Sequence, residues 1–366
     1  MRIQPRRALI TLLVVSVGLL TVHLSGQSGA PGQKSLSAPT TNWKVGRTPS
    51  GEPDIEGIWS VGYVFTPLER PKELALKEFL TDDEVVALER QHAAQFGGDG
   101  AGGRARAERG TEADLAGAYN QAFSKGGRHE RVIRTKRTSL IIDPPDGKIP
   151  ARTAEGEKRA AAFRRNLENE NGDAGLSDNP ESRPGSDRCI GVALPFITGV
   201  SSGVRRIVQA PGQVAMFHED GHAGGVYRAI PIGSRPQLPP DVRQYLGDAR
   251  GRWEGNTLVV DITNFSEKTN FQGSSQNLHL IERYTREGPD LLMFRATIED
   301  PTTFTRPWTI EVPLTKADEK ANQIYESSCY EGNYAMTSIL AGARALEKEK
   351  AQEKAKARRA AQKPNP

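Results

Sequence analysis

The chain has 366 residues with only two cysteines, long enough for one large domain or two ordinary ones and for a core that needs no covalent staples, which excludes a disulfide-dense mini-scaffold. Its formal charge of +4 is supplied by the ends, Arg2, Arg6 and Arg7 at one and a Lys/Arg-rich tail beyond Ala343 at the other, so the body between them is net acidic. That excludes a nucleic-acid groove, whose electrostatic footprint would be a basic face on the folded domain itself.

The first 30 residues read as a secretory signal peptide. The arginines form a positive n-region, Ala8 to Leu24 form an apolar run, and Ser25 to Ala30 is a small-residue stretch suited to cleavage near Gly26 to Ala30. The run falls short of a bilayer span of about 20 apolar residues, so no transmembrane segment is expected in the mature protein and its place is the periplasm or the exterior. Arg6-Arg7 leaves both the general and the twin-arginine export routes open.

Residues 31–50 form a Ser/Thr/Gly/Pro-rich linker, and a single β-rich domain is expected over 51–342. Gly57 to Val61 is the first short strand. Leu80-Thr81-Asp82-Asp83-Glu84 supplies a Thr cap and an acidic first turn for a helix through Val85, Val86 and Leu88. Residues 97–117, rich in Gly, Ala, Arg and Glu, read as a mobile insertion. Arg137 to Asp143 runs as a strand into the turn Pro144-Pro145-Asp146-Gly147, and Ala160 to Leu167 is a short helix.

Beyond Arg205 strands follow at close spacing. Arg206 to Ala210 and Gln213 to His218 flank Pro211-Gly212; Trp253 and Thr257 to Asn264 flank Glu254-Gly255-Asn256; His279 to Arg286 and Leu291 to Glu299 flank Gly288-Pro289-Asp290. Trp308 to Thr315 and Gln323 to Ser327 make the last pair. Trp308, Ile310, Val312 and Leu314 alternate with polar residues, as in a half-buried antiparallel strand. The fold class is therefore mainly β: an antiparallel meander closed as a barrel or packed as a sandwich, lipocalin-like in general shape, with a few peripheral helices. Residues 343–366 form a charged helical or disordered tail.

Several motifs in this chain resemble those of a family of exported bacterial proteins common in soil bacteria such as acidobacteria. They are Thr48 to Trp59 (TPSGEPDIEGIW), Ser139 to Gly147 (SLIIDPPDG), Gly251 to Asp261 (GRWEGNTLVVD), Asp300 to Thr303 (DPTT) and Cys329 to Tyr334 (CYEGNY). The likeness runs from about Thr48 to Arg344. It implies export and one shared fold, and assigns no catalytic residue.

Three groups of residues point toward chemistry. His218-Glu219-Asp220-Gly221-His222 is a literal HExxH, which on a helix would place two imidazoles on a metal and Glu219 beside its bound water. Here a strand precedes it and the turn pair Asp220-Gly221 interrupts it, which favours a polar hairpin at a pocket mouth. Zinc or another transition metal held by His218 and His222 across that hairpin, with His279 as a third ligand, is the alternative, and would make the protein a metal-dependent hydrolase or lyase. In the second group, Glu282 falls between Leu280 and Tyr284 on one strand face. A carboxylate on that apolar wall would serve either as a general acid or base, with His279 as a further catalytic candidate although it shares the opposite face with Ile281 and Arg283, or as half of a buried ion pair with an arginine from another strand.

The third group, Trp253, Asn264, Tyr284, Phe294, Phe304, Arg306 and Trp308, would line a pocket for an apolar or aromatic small molecule, with Arg306 as polar anchor, or simply fill the core. Cys189 and Cys329 would close a disulfide in an oxidising compartment, or stay as two separately buried thiols. A small-molecule pocket protein is the leading expectation; a metal-dependent enzyme and a noncatalytic envelope scaffold are the alternatives.

Overall fold

A computed structural model describes residues 43–60, 66–96, 135–168, 177–183, 187–190, 194–196, 204–218, 225–320 and 334–361, all within the compact unit Ala38–Pro366. The expected signal peptide, the insertion at 97–117, the strand at 323–327, and Glu219, His222 and Cys329 lie outside the described residues.

The strands are β1 (Gly57–Ser60), β2 (Ile141–Asp143), β3 (Val204–Ala210), β4 (Gln213–His218), β5 (Val226–Pro231), β6 (Asp248–Glu254), β7 (Thr257–Thr263), β8 (His279–Arg286), β9 (Leu291–Glu299) and β10 (Trp308–Lys316). They form one antiparallel sheet in the order β5-β4-β3-β1-β10-β9-β8-β7-β6. In the runs β3 to β5 and β6 to β10 each strand pairs with the next, and the hairpins at Pro211-Gly212, Gly255-Asn256 and Gly288 to Asp290 form as the turn residues predict. β1 joins them by pairing with β3 on one side and with the end of β10 on the other, and β2 takes the rest of the same β10 edge.

The two outermost strands meet. Ile232, just past β5, forms a parallel bridge with Gly251 of β6, and Gly233 N–H donates to the Gly251 carbonyl at 3.1 Å. The sheet thus curls into a nearly closed barrel rather than a sandwich, and closure hides the strand edges that an open sheet would leave exposed. The seam is tight at Gly251: a Cβ there would lie 2.4 Å from Ile232 Cδ1 and 3.0 Å from Ile230 Cγ2. β5 itself was not anticipated, because Arg228 breaks the apolar alternation of Val226 and Ile230.

Inner and outer faces separate with the two-residue period of a strand. β8 to β10 turn Leu280, Tyr284, Leu292, Phe294, Ile298, Ile310 and Val312 inward, all fully buried. On the outer face cross-strand polar pairs tie neighbours together, including Arg295–Glu311 at 2.6 Å and Thr297–Thr309 at 2.9 Å.

Among the described residues three α-helices accompany the barrel: α1 (Asp82–Phe96), α2 (Ala154–Glu168) and α3 (Tyr334–Ala361). α1 opens on the expected cap, with Thr81 and Glu84 exchanging bonds: Thr81 N–H donates to Glu84 Oε2 at 2.8 Å and Glu84 N–H to Thr81 Oγ1 at 3.3 Å. α2 begins six residues earlier than its composition suggests, because Thr153 Oγ1 accepts from Gly156 N–H at 3.0 Å and starts the helix there. Its first turn lies against the loop after β9, so close that a Cβ on Gly156 would sit 2.4 Å from the Thr303 carbonyl oxygen. Arg159 fixes the approach, donating to Thr303 Oγ1 at 2.7 Å and to the Gly273 carbonyl at 3.0 Å. That end of the barrel is filled by apolar side chains, Trp308 packing on Phe304 and Phe271. No described helix is long and apolar enough to cross a membrane.

The seam predicts the cost of adding a side chain to it. Gly251→Val should destabilise the protein by about 1–3 kcal/mol in urea unfolding, as overpacking does, whereas Gly255→Val in the nearby exposed turn adds no clash and acts only through its positive φ of 61°. A Gly251→Val variant as stable as the parent would mean that β5 and β6 are not in contact.

Candidate ligand site

Five polar side chains face the barrel interior instead of the apolar residues that alternation would place there. β3 contributes Arg205, β4 His218, β5 Arg228, and β8 Glu282 and Tyr284, and every one is at least nine-tenths buried. Strand register brings them together. Arg205 stands directly opposite His218, and Arg228 directly opposite Met216. β8 lies beyond β6 and β7 from the seam, so a contact between Arg228 and Glu282 spans the interior.

That contact is the buried ion pair among the readings of Glu282. Arg228 Nη2 donates to Glu282 Oε2 at 2.6 Å, and the Tyr284 hydroxyl donates to the same oxygen at 3.1 Å. Burial opposes the Arg228 charge, but Glu282 and Tyr284 more than offset it and hold the guanidinium above its ordinary value. Burial, followed by the neighbouring carboxylate, pushes the Tyr284 phenol well up, so it stays a neutral donor. Charged partners so placed raise the cost of removing either one.

Among the described residues Arg205 has no such carboxylate in contact. One terminal nitrogen donates to the Phe196 carbonyl, and the guanidinium lies over the Phe294 ring at 4.5 Å. Burial pulls it below its ordinary value, with the neighbouring Tyr284 hydroxyl and Glu282 offsetting only part. His218 sits 5.0 Å from Phe196, ring centroid to ring centroid. Burial, then Arg205 and Arg228, push its imidazole well below the usual range, so it is neutral near pH 7.

The cluster is short of partners. Nε and Nη1 of Arg205, Nε and Nη1 of Arg228, and both ring nitrogens of His218 are buried without a hydrogen bond. These are six of the ten such side-chain atoms among the described residues. Buried donors are ordinarily satisfied, and an unsatisfied one carries its full desolvation cost.

The other candidate residues fall elsewhere. His279 is on the opposite face of β8 from Glu282, part-exposed, bonded to Glu299 at 2.9 Å and Asp261 at 3.2 Å. The alternation that turns Glu282 inward turns His279 outward, so the two share no site, and His279 is likewise remote in orientation from the interior-facing His218. No group of three or more metal-ligating side chains is present among the described residues. Arg306 is exposed and pairs with Asp143 at 2.8 Å, so it does not anchor the interior. Asn264 adopts a positive φ of 55° and spends its amide on the loop before β6, donating to the carbonyls of Leu238, Pro239 and Val242 at 2.8–3.1 Å. Trp308 and Phe304 belong to the filled end, and Trp253 is half-buried against the core. Tyr284 and Phe294 are the aromatic candidates that do meet the polar cluster, their rings 5.0 Å apart.

Arg205 and Arg228 were missed by sequence reasoning although the signal was present. The alternation that places Glu282 between Leu280 and Tyr284 also places Arg228 between Val226 and Ile230, and Arg205 in phase with Ile207.

No protein-family model matches the chain, and no curated protein is similar to it. Among solved structures, secretory abundant heat soluble protein 4 from Ramazzottius varieornatus is 12% identical, the likeness covering 32% of this chain and 74% of that one at a TM-score of 0.22. A variant of the fluorescent protein UnaG is also 12% identical, covering 37% of this chain and 86% of its own at a TM-score of 0.22. Scores this low leave the barrel to rest on its own strand pairing.

If the ion pair holds the interior together, Arg228→Met should cost about 3–5 kcal/mol in urea unfolding by stranding Glu282 in an apolar cavity. The double change Arg228→Met with Glu282→Leu should recover most of that loss, while His279→Ala, which breaks a part-exposed contact, should cost less than about 1 kcal/mol. Equal losses in the single and double interior variants would contradict a pair whose members compensate one another.

Proposed function

We propose that this protein is an exported small-molecule binding protein whose ligand, largely apolar, enters the barrel and lies against the Arg205, Arg228, His218 and Tyr284 cluster. The observation that carries the reading is the run of buried, unpartnered donors on an otherwise apolar inner wall. A barrel evolved only as a scaffold gains nothing from burying two guanidinium groups with one carboxylate between them, since an apolar filling of the same volume is as stable or more so. Ligand sites, in contrast, combine apolar walls with a few placed polar groups.

The metal-dependent alternative is disfavoured by the same residues. His218 shares its surroundings with two guanidinium groups, and cations would be repelled there. General acid–base chemistry by Glu282 with His279 is disfavoured by their opposite orientations on β8. Export rests on the n-region, apolar run and small-residue stretch of the first 30 residues, and it fits the resemblance to exported soil-bacterial proteins. A disulfide between Cys189 and Cys329 belongs to the same proposal: Cys189 is buried, and no free cysteine is found among the described residues.

One mass-spectrometric experiment on protein recovered without denaturation from the periplasm tests all of these parts. The denatured mass should match a chain cut between Gly26 and Ala30 and lighter by the hydrogens of both thiols. The native mass should exceed it by an organic molecule that is released on unfolding. A native mass equal to the denatured one, with no hydrophobic compound raising the melting temperature, would overturn the pocket reading. An added mass of one zinc, lost in His218→Ala, would install the metal-dependent enzyme in its place.

A further inference from the structure

We propose that the interior cluster is the seat of a carboxylate, so that the ligand is a monocarboxylic acid with an apolar body whose head group lies between Arg205, Arg228 and His218. This rests on the pocket reading above and adds the chemical class of the ligand. The starting point is charge. Among the described residues, two buried guanidinium groups face a single carboxylate, Glu282, and that carboxylate is committed to Arg228 at 2.6 Å and to the Tyr284 hydroxyl. Arginine does not shed its proton in a protein, so the described side chains leave the interior with one positive charge in excess.

A buried, uncompensated charge is among the costliest features a fold can carry, and proteins keep one where something else supplies the counter-charge. Water would satisfy hydrogen bonds there but would leave the charge in place. A single anionic group does both.

The geometry of the free donors narrows the group further. The unpartnered Nε and Nη1 of each guanidinium lie on either side of its Cδ and share no edge, so each arginine offers single N–H donors, and the two together can serve the separate oxygens of one carboxylate. His218, neutral in this setting, has one N–H to give and so completes the coordination without adding charge. A phosphomonoester would bring close to two negative charges against a deficit of one. The apolar body is asked for by the rest of the wall, where Met216, Ile207, Ile230 and Phe294 adjoin the cluster through strand register or ring contact.

The test compares matched probes on the mature full chain by titration calorimetry at neutral pH: dodecanoate against dodecanol, and naphthylacetate against its amide. Each acid should bind roughly ten- to a hundredfold more tightly than its neutral counterpart, the worth of charge-assisted hydrogen bonds in a buried site. In Arg205→Gln the acid and neutral affinities should converge, Arg205→Lys should restore part of the gap, and Arg306→Gln on the outer surface should leave it untouched. Arg205 carries the test because Arg228→Gln also strands Glu282 and is liable not to fold. Equal binding of acid and neutral probes would overturn the carboxylate seat while leaving the pocket standing. Preference for the acid that survives Arg205→Gln would place the head group elsewhere and overturn it too. Binding of neither member of either pair would remove the pocket reading and this inference with it.

Discussion

The Arg228–Glu282 ion pair spans the inside of the barrel, and the rest of the structure is arranged around it. Its partners come from β5 and β8, strands that never hydrogen-bond to one another, so their contact at 2.6 Å requires the sheet to have curled far enough for opposite walls to meet. Closure is in turn permitted by Gly251, where β6 approaches the end of β5 more closely than any side chain would allow. An open sheet of the same strands would expose both charges to water and need neither the glycine nor the pair. Seam and ion pair are therefore two consequences of one constraint, that this single sheet wraps around an interior which is not wholly apolar.

That interior is divided along the barrel. Toward the loops after β7 and β9 it is aromatic, with Trp308 stacked on Phe271 and edge-to-face with Phe304, and α2 held down by Arg159. Toward the start of β3 and the end of β4 it carries the guanidinium and imidazole groups, with Phe196 and Phe294 supplying ring faces and the Phe196 carbonyl accepting from Arg205. The first region accounts for stability by ordinary burial of apolar surface. The second takes stability away unless something completes it, and this asymmetry is the physical ground for regarding it as a ligand site.

Much of the fold was legible in the residues. The turn pairs Pro211-Gly212, Gly255-Asn256 and Gly288 to Asp290 mark hairpins that form where expected, and the alternation in Trp308 to Leu314 is that of an inward-facing strand. β5 escaped because its central position is an arginine, and a charged residue in phase with valine and isoleucine reads as a break in the pattern. Closure was left open between barrel and sandwich because it depends on long-range contact at one glycine, which no local period encodes. In the site, Glu282 was expected on one strand face with Leu280 and Tyr284, the face that the structure turns inward, and pairing with an arginine was among its expected roles. Its partner was not named, since choosing among so many arginines requires the strand order. Asn264 and Arg306 misled for a simpler reason: polar residues near strand ends are as useful for pinning loops as for holding ligands, and only coordinates tell the two apart.

The central claim is that the polar half of the barrel is completed by a bound molecule. It is tested most directly by a high-resolution crystal structure of protein purified natively from the periplasm, read at Arg205 and Arg228. The account predicts continuous non-protein density bridging the two guanidinium groups and running along Met216 and Phe294. Guanidinium groups instead satisfied by protein carbonyls and isolated waters, with side chains filling the space between them, would contradict it.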